Sequence, residues 1–95
     1  MGSFVFDAPR HILTNSEGKE RKLTSKESDL LLMLCECKGN TLSRSNALQS
    51  IWKEENRTNA RSMDVYITKL RKYFADDPDV CINNVHGVGF RLDVK

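Results

Sequence analysis

The chain has 95 residues, and 39% of them are hydrophobic, which fits one folded domain with a modest core and leaves little room for a catalytic cleft. No apolar run approaches the roughly 18 to 20 residues needed to span a bilayer, and no N-terminal pattern predicts secretion. We therefore expect one globular domain that acts in the cytoplasm and has no membrane partner. Residues 1–3, Met-Gly-Ser, resemble a cloning remnant, so the domain is assigned to residues 4–95.

The three cysteines agree with a reducing compartment, because an odd number cannot pair completely within one chain. On a helix, Cys35 and Cys37 would lie about 200° apart, so their thiolates could not bind one metal ion without unwinding the helix. We expect all three cysteines, including Cys81 at a predicted strand start, to serve in packing. No cofactor or metal ion is predicted.

Residues 4–23 contain three short strand-like runs, at 4–6, 11–14 and 20–23. Ala8 and Pro9 separate the first two runs, and the turn-forming residues Asn15 to Gly18 separate the second and third. The segment is predicted to form a small antiparallel sheet.

Two helices are predicted next. Thr24 stands three residues before Glu27, the spacing of a capping box, and Gly39 marks the end of the first helix. The buried stripe of that helix is Leu30, Leu31 and Leu34. Ser43 is the expected cap of the second helix. The inward residues of the second helix are Ala47, Leu48, Ile51 and Trp52.

A third helix, predicted over residues 61–74, has two chemically different faces. At about 100° per residue, one face is apolar and consists of Met63, Ile67, Leu70 and Phe74. The opposite face carries Arg61, Val65, Thr68, Lys69 and Lys72. Between Arg57 and Phe74 there are five cations against one acid, Asp64. Most such faces only meet water, but a local basic surface on a chain of net charge +2 also suits phosphate binding.

Residues 80–94 predict a β-hairpin. Val80 to Val85 form its first strand, residues 86–89 with two glycines form a tight turn, and apolar residues alternate with polar ones from Phe90 onwards. Three helices followed by a glycine-tipped hairpin is the order of a winged helix-turn-helix. The predicted fold class is therefore α+β, with an N-terminal antiparallel sheet, three helices and a C-terminal hairpin wing.

Seven short motifs follow one another along the chain: Leu23-Thr24-x-x-Glu27, Leu30-Leu31, Ser43-Arg44, Ile51-Trp52, Arg61 to Ile67, Leu70-Arg71-Lys72 and Val85 to Arg91. Each motif is weak alone, but their order and spacing are specific. Together they resemble the OmpR/PhoB family of response-regulator effector domains, over essentially the whole chain after residue 3.

The resemblance implies a four-stranded N-terminal sheet, three helices and a hairpin wing, with double-stranded DNA as the ligand. The third helix would enter the major groove, and the wing would touch the adjacent minor groove or its backbone. Lys69 would be the leading reader of base edges, with Thr68, Val65 and Lys72 near the groove. Lysine suits the N7 and O6 acceptors of guanine, and Val65 or the Thr68 methyl group could meet a thymine methyl group.

Other residues would contact the DNA backbone and carry no sequence information directly. The phosphate contacts assigned in this way are Arg61, Ser62, Tyr66, Arg71 and Arg44. Arg71 could instead pair with Asp64 or with the N-terminal sheet. In the wing, the implied contacts are His86, Gly87 and Arg91.

The sequence departs from the family at several positions. His86 stands where members often carry arginine, so a wing contact would be weaker and dependent on pH, unless His86 simply lies in solvent. Ser28 replaces an expected aromatic residue, and Ser45 and Asn46 replace an acidic pair. The segment 53–60 is longer than a standard helix-turn-helix turn, and it either faces RNA polymerase or is a floppy connection.

The family context implies further partners. A parent chain would add a receiver domain that a sensor kinase phosphorylates on aspartate, and phosphorylation would promote pairing of two effector domains on a repeated DNA site. The domain alone is expected to be a monomer that binds DNA weakly and dimerises on DNA. With about four to six phosphate contacts, log affinity should fall with log salt concentration at a slope of about −4 to −5.

Two other functions stay open at this point. A winged helix can serve as a protein-interaction or dimerisation module that does not bind DNA. An enzyme is disfavoured, because His11 and His86 have no neighbouring Asp or Ser at a catalytic spacing and the sequence contains no phosphate-binding glycine loop. We therefore assign no catalytic residue.

Overall fold

A computed structural model describes residues 2–95, and Met1 of the proposed cloning remnant lies outside them. The strands are β1 (Val5–Asp7), β2 (Ile12–Thr14), β3 (Glu20–Lys22), β4 (Leu42–Ser43), β5 (Val80–Val85) and β6 (Gly89–Val94). The helices are α1 (Ser25–Glu36), α2 (Arg44–Ala47), which continues as a π-helical turn over Leu48–Trp52, and α3 (Arg57–Tyr73). Within residues 2–95, no helix is long and apolar enough to cross a membrane. The predicted α+β winged helix-turn-helix is confirmed.

The strands β1, β2 and β3 form an antiparallel sheet in that order, which confirms the predicted N-terminal sheet. Its β2–β3 turn is closed by Asn15, whose side-chain oxygen accepts hydrogen bonds from the backbone N–H groups of Glu17 and Lys19, both at 2.9 Å. The family resemblance implied four strands in this N-terminal sheet, and that prediction is wrong, because the sheet has three strands within residues 2–95. The segment before α1 supplies three extended runs there, and the sheet uses all of them.

The start of α1 is fixed by the predicted capping box. The Thr24 hydroxyl accepts a hydrogen bond from the Glu27 backbone N–H at 3.2 Å, and the Glu27 carboxylate accepts one from the Thr24 backbone N–H at 2.8 Å. These contacts satisfy two backbone donors that the helix itself leaves without partners. The capping prediction is confirmed, and the leucine stripe of α1 lies in the core.

The helix-turn-helix connection is shorter than the sequence predicted. The predicted cap Ser43 does start α2, where its hydroxyl accepts a backbone N–H. The chain leaves the π-helical turn at Lys53, which has a left-handed φ of 67°. It enters α3 at Arg57, because the Asn56 side chain accepts the Asn59 backbone N–H at 2.8 Å and caps the helix there. The start predicted at residue 61 is wrong, and the connection 53–56 has an ordinary helix-turn-helix length.

The apolar face of α3 lies at the centre of the core. Met63, Ile67 and Leu70 are at most 1% exposed. Phe74 follows the helix and packs edge-on against Phe4, with ring centroids 4.8 Å apart. Burying one such side chain stabilises the fold by about 1.5 to 3 kcal/mol, so the orientation of α3 is strongly determined. The predicted apolar face is confirmed, and the opposite face is left for solvent or a partner.

A second sheet attaches the wing to the helices. Its strand order is β4-β6-β5, with Leu42 of β4 opposite Phe90 of β6. Gly89 lies so close to β4 that an added Cβ atom would be 1.9 Å from the Leu42 carbonyl oxygen. Only glycine permits this approach of the two backbones. The side chains that join this sheet to the core are Val80, Ile82, Phe90 and Leu92.

Cys81 lies on the outer face of β5 and is exposed, so the prediction that it serves in packing is wrong. Its neighbours Val80 and Ile82 are buried, and the alternation of side chains along a strand therefore turns Cys81 outward. Cys35 and Cys37 are half-buried near the end of α1 and pack against the core, as predicted. Burial raises the pKa of the Cys35 thiol.

Candidate nucleic-acid interface

The face of α3 opposite the core is open to solvent. The side chain of Val65 on this face is 54% exposed. The other residues predicted for this face are all exposed, namely Arg61, Thr68, Lys69 and Lys72. Among residues 2–95, none of the three cations forms an ion pair. Their charges therefore remain available to attract an anion.

Thr68 presents a methyl group on this cationic face. Its hydroxyl donates a hydrogen bond to the Asp64 carbonyl oxygen one turn earlier, at 3.0 Å. With the hydroxyl satisfied inside the helix, the methyl group of Thr68 and the side chain of Val65 are the apolar contacts that this face offers. The face therefore combines positive charge with two small apolar groups.

One flank of α3 is joined to the hairpin, and we call it the wing flank, consisting of Arg44, Asp64 and Arg71. The guanidinium of Arg44, at the start of α2, donates to both carboxylate oxygens of Asp64 at 2.7 and 3.4 Å. It also lies 5.4 Å from the ring centroid of Phe90. The two side chains are 34% and 56% exposed, so the ion pair contributes about 1 kcal/mol or less. Its effect is to occupy the acid of α3 with a cation from the neighbouring helix.

Arg71 binds the first strand of the hairpin. Its Nε donates to the Ile82 carbonyl oxygen at 3.0 Å, and its Nη2 donates to the side-chain oxygen of Asn84 at 2.8 Å. Both partners considered from the sequence, Asp64 and the N-terminal sheet, are therefore wrong. Arg71 holds β5 in a defined position relative to α3.

A groove of about 370 Å³ lies between α3 and the tip of the wing. Its walls include Thr68 and Arg71 from the helix and His86 and Gly87 from the turn, and His86 is exposed. The third predicted wing residue, Arg91, lies beyond the turn on β6. Hydrogen bonds from the Asn83 amide and from Arg91, whose Nε is 2.9 Å away, lower the pKa of Asp93.

The other flank of α3 carries aromatic rings, and we call it the aromatic flank, consisting of Trp52, Tyr66 and Tyr73. The ring centroids of Trp52 and Tyr66 are 5.9 Å apart. The ammonium group of Lys69 lies 5.4 Å from the Tyr66 ring centroid. Tyr66 is half-buried, and so is the other predicted phosphate contact on this side, Ser62.

Tyr73 connects the aromatic flank to α1. Its hydroxyl donates to the Glu27 carboxylate at 2.7 Å, and Glu27 is only 3% exposed. Burial by itself raises the pKa of Glu27, but hydrogen bonds from Thr24 and Tyr73 outweigh it and hold the pKa below its ordinary value of 4.5. Burial and the neighbouring carboxylate raise the pKa of Tyr73 above its ordinary value of 10.0. Near neutral pH, Glu27 is therefore a carboxylate anion that accepts a hydrogen bond from the neutral hydroxyl of Tyr73.

The sequence of residues 18–92 matches the protein family described as "Transcriptional regulatory protein, C terminal". The chain belongs to this family. This family is of the OmpR/PhoB type, so the resemblance inferred from the seven motifs is confirmed. The family is a class of transcriptional regulators and not a class of enzymes.

Among relatives, the chain is 50% identical over 92 residues to the transcriptional regulatory protein RprY of Bacteroides fragilis (strain YCH46). The match covers 97% of this chain and 39% of RprY, so the chain spans about two fifths of that protein's length. The DNA-binding domain of Escherichia coli CadC superposes with a TM-score of 0.81 at 26% identity, covering 99% of this chain and 89% of that one. The DNA-binding domain of Bacillus subtilis CssR superposes with a TM-score of 0.78 at 28% identity, covering 95% of this chain and 99% of that one.

In this family member, residues 53–60 are not one loop. Residues 57–60 form the first turn of α3, and residues 53–56 alone connect the helices. This connection is tied down, because the Ser45 hydroxyl donates to Glu55 at 2.9 Å and the Asn59 amide donates to the Glu54 carbonyl oxygen at 3.0 Å. These contacts favour a defined conformation of residues 53–56 over a floppy connection.

Two cations near the interface were missed in the sequence. Lys26 lies in the first turn of α1, with its ammonium group 5.4 Å from the Trp52 ring centroid. Arg21 lies on the exposed strand β3, with its guanidinium 4.2 Å from the Tyr73 ring centroid. No local motif marks either residue, because each meets its aromatic partner only through the packing of separate elements.

Proposed function

We propose that this domain binds double-stranded DNA sequence-specifically, as the output domain of a bacterial two-component response regulator that controls transcription. The observation that carries the proposal is the exposed cationic face of α3, whose cations Arg61, Lys69 and Lys72 form no ion pair among residues 2–95. Its family membership supports the same function, as do the DNA-binding domains that share its fold.

In the proposed complex, α3 lies in the major groove and Lys69 reads base edges. The ammonium group of Lys69 leaves the Tyr66 ring to reach a guanine acceptor, which costs about 0.5 to 1 kcal/mol at an exposed site. Val65 and the methyl group of Thr68 contact thymine methyl groups, and Lys72 lies near the groove. These contacts carry the sequence preference.

The DNA backbone is held by a different set of side chains. The proposed phosphate contacts are Arg61, Ser62, Tyr66, Arg71 and Arg44. Arg44 and Arg71 already bind protein acceptors, so they contribute through the donors that those contacts leave over. The wing residues His86, Gly87 and Arg91 lie at the adjacent minor groove.

The parent protein is proposed to act in the cytoplasm and to combine this domain with a receiver domain that a sensor kinase phosphorylates. The domain alone is a monomer and pairs on DNA with a second copy. Residues 53–60, which include the acidic pair Glu54 and Glu55, are proposed to contact RNA polymerase.

The test is a fluorescence-anisotropy titration of the domain with a randomised duplex pool at two salt concentrations. Log affinity is expected to fall with log salt concentration at a slope of about −4 to −5. Lys69→Ala should lose about 1 to 3 kcal/mol of discrimination between duplexes. The control Lys95→Ala, at the end of β6 opposite the wing turn, should leave affinity and preference unchanged. No binding to any duplex at low salt would refute the proposal and favour a protein-interaction module.

A further inference from the structure

The aromatic flank is lined by two cations that the proposed interface does not use. Lys26 is held over Trp52 at 5.4 Å, and Arg21 is held over Tyr73 at 4.2 Å. Neither cation forms an ion pair within residues 2–95. Both lie beside α3 but belong to other elements, Lys26 to α1 and Arg21 to β3.

The rings under these cations form a continuous edge along α3. Trp52 contacts Tyr66, and Tyr73 lies seven residues after Tyr66, on the same side of the helix about 10 Å further along its axis. The first turn of α1 contacts both ends of this edge. Lys26 lies over Trp52 at one end, and Glu27 accepts a hydrogen bond from the Tyr73 hydroxyl at the other. Each cation is therefore held next to a ring whose own position is determined by packing.

A groove continues this edge towards the N-terminal sheet. It has a volume of about 540 Å³ and lies between β3 and the C-terminal end of α3. Its charged lining consists of Lys19, Arg21, Lys22 and Lys72 together with Glu20 and Asp76. Since Lys72 belongs to the exposed face of α3, the groove connects that face to Arg21.

We propose that Lys26 and Arg21 bind phosphates of one DNA strand along the aromatic flank, so that the backbone contact extends from α3 to α1 and β3. The roughly 10 Å between Tyr66 and Tyr73 is long enough for more than one phosphate of a strand to lie along the flank. Cations held over rings keep their charge, and they lose less side-chain freedom on binding a phosphate than cations that rotate freely in solvent. The inference rests on the proposed function, because it assumes that α3 faces DNA.

The experiment measures the salt dependence of DNA affinity for Lys26→Gln, Arg21→Gln and the double variant. Each single variant should weaken binding about equally for specific and non-specific duplexes and reduce the salt slope by about 1, and the double variant by about 2. Lys38→Gln is the matched control, because it removes the same charge just beyond the C-terminal end of α1, whereas Lys26 lies in the first turn of that helix. Its slope should equal that of the wild type.

The conservative variants Lys26→Arg and Arg21→Lys keep the charge and should keep the wild-type slope. If the glutamine variants lowered the salt slope only by disturbing the fold, keeping the charge would not be enough to keep the wild-type slope. The conservative variants therefore separate loss of charge from loss of structure. If wild type binds DNA and the double variant retains the wild-type slope, the inference fails while the proposed function stands. If wild type binds no DNA, the proposed function itself fails.

Trp52 supplies an independent readout, because it is the only tryptophan in the chain. A DNA strand along the aromatic flank would repel iodide, so DNA should protect Trp52 fluorescence from iodide quenching in the wild type. Protection should decrease in the Lys26→Gln variant. Equal iodide quenching of Trp52 in free and DNA-bound wild type would overturn the inference.

Discussion

The two flanks of α3 use cations in opposite ways. On the wing flank, Arg44 binds Asp64 and Arg71 binds Ile82 and Asn84, so both guanidinium groups already have protein acceptors. On the aromatic flank, Lys26 and Arg21 lie over aromatic rings, which do not neutralise their charge as a carboxylate would. On the wing flank the guanidinium groups position the wing and leave only their remaining donors for the proposed phosphate contacts. On the aromatic flank the cations form no ion pair among residues 2–95.

The comparison shows that counting cations around a helix does not identify a binding surface. The wing flank carries two arginines, the residue type best suited to phosphate, yet protein acceptors already occupy part of their donors. Mutations on the wing flank should therefore lower stability as well as affinity, whereas mutations of Lys26 and Arg21 should lower affinity alone.

The largest effect should come from breaking the β4–β6 pairing that attaches the wing, at Gly89. Gly89→Ala places a Cβ atom 1.9 Å from the Leu42 carbonyl oxygen, so β4 and β6 must separate. We expect a loss of about 3 kcal/mol in the free energy of unfolding, at the upper end of overpacking costs. Urea denaturation measures this loss.

Gly87→Ala is the control for this prediction. Gly87 has a left-handed φ of 74°, but an added Cβ atom would meet nothing within 4 Å. It should cost about 1 kcal/mol, the ordinary penalty for a side chain in that conformation. Equal costs at both glycines would show that the approach of β4 to β6 is not restrictive.

A smaller effect should follow from Arg71→Ala, which removes both hydrogen bonds to β5. Hydrogen bonds from a charged donor are worth about 1.5 to 3 kcal/mol, and because these two are partly exposed we expect a loss of about 2 kcal/mol. Arg71→Lys should restore little, because an ammonium group cannot reproduce the planar fork. Full stability in Arg71→Lys would show that charge alone positions the wing.

The smallest effect should be the pH dependence set by Glu27 on the aromatic flank. The folded pKa of Glu27 lies below 4.5, so its contribution is complete above that pH and is lost as the pH falls through the folded value. The folded pKa of Tyr73 lies above 10.0, so its contribution is complete below that pH and is lost as the pH rises through the folded value.

Glu27→Gln should cost about 1 kcal/mol at neutral pH and flatten the decline of Tm in acid. The measurement is Tm between about pH 2 and 7 for both proteins. Asp29→Asn, at an exposed position of α1, is the control and should keep the wild-type decline. Parallel curves for wild type and Glu27→Gln would contradict the assignment.

Much of the fold was predictable because its signals are local. The Thr24–Glu27 capping box, the Ser43 cap and the alternation of the hairpin each depend on residues close together in the chain. The start of α3 was missed because residues 57–60 lack apolar periodicity, although Asn56 three residues before Asn59 is a cap signal. Cys81 was misplaced although its buried neighbours in a strand imply that it points outward.

The candidate site was predictable only in part. The exposed face of α3 follows from helical periodicity, and Val65, Lys69 and Lys72 lie where the pattern placed them. The partners of Arg71 and Arg21 could not be predicted, because these contacts join residues 11 or more positions apart through tertiary packing. Which cations remain available for a ligand is therefore a property of the fold.

The outward position of Cys81 makes the wing chemically addressable. Cys35 and Cys37 are half-buried, and the raised pKa of Cys35 leaves less of its reactive thiolate near neutral pH. A maleimide dye or spin label added in limited amount should therefore attach first to Cys81, without any engineered cysteine. Attached at the far end of β5 from the turn, it would report on the movement of the wing relative to α3 in solution.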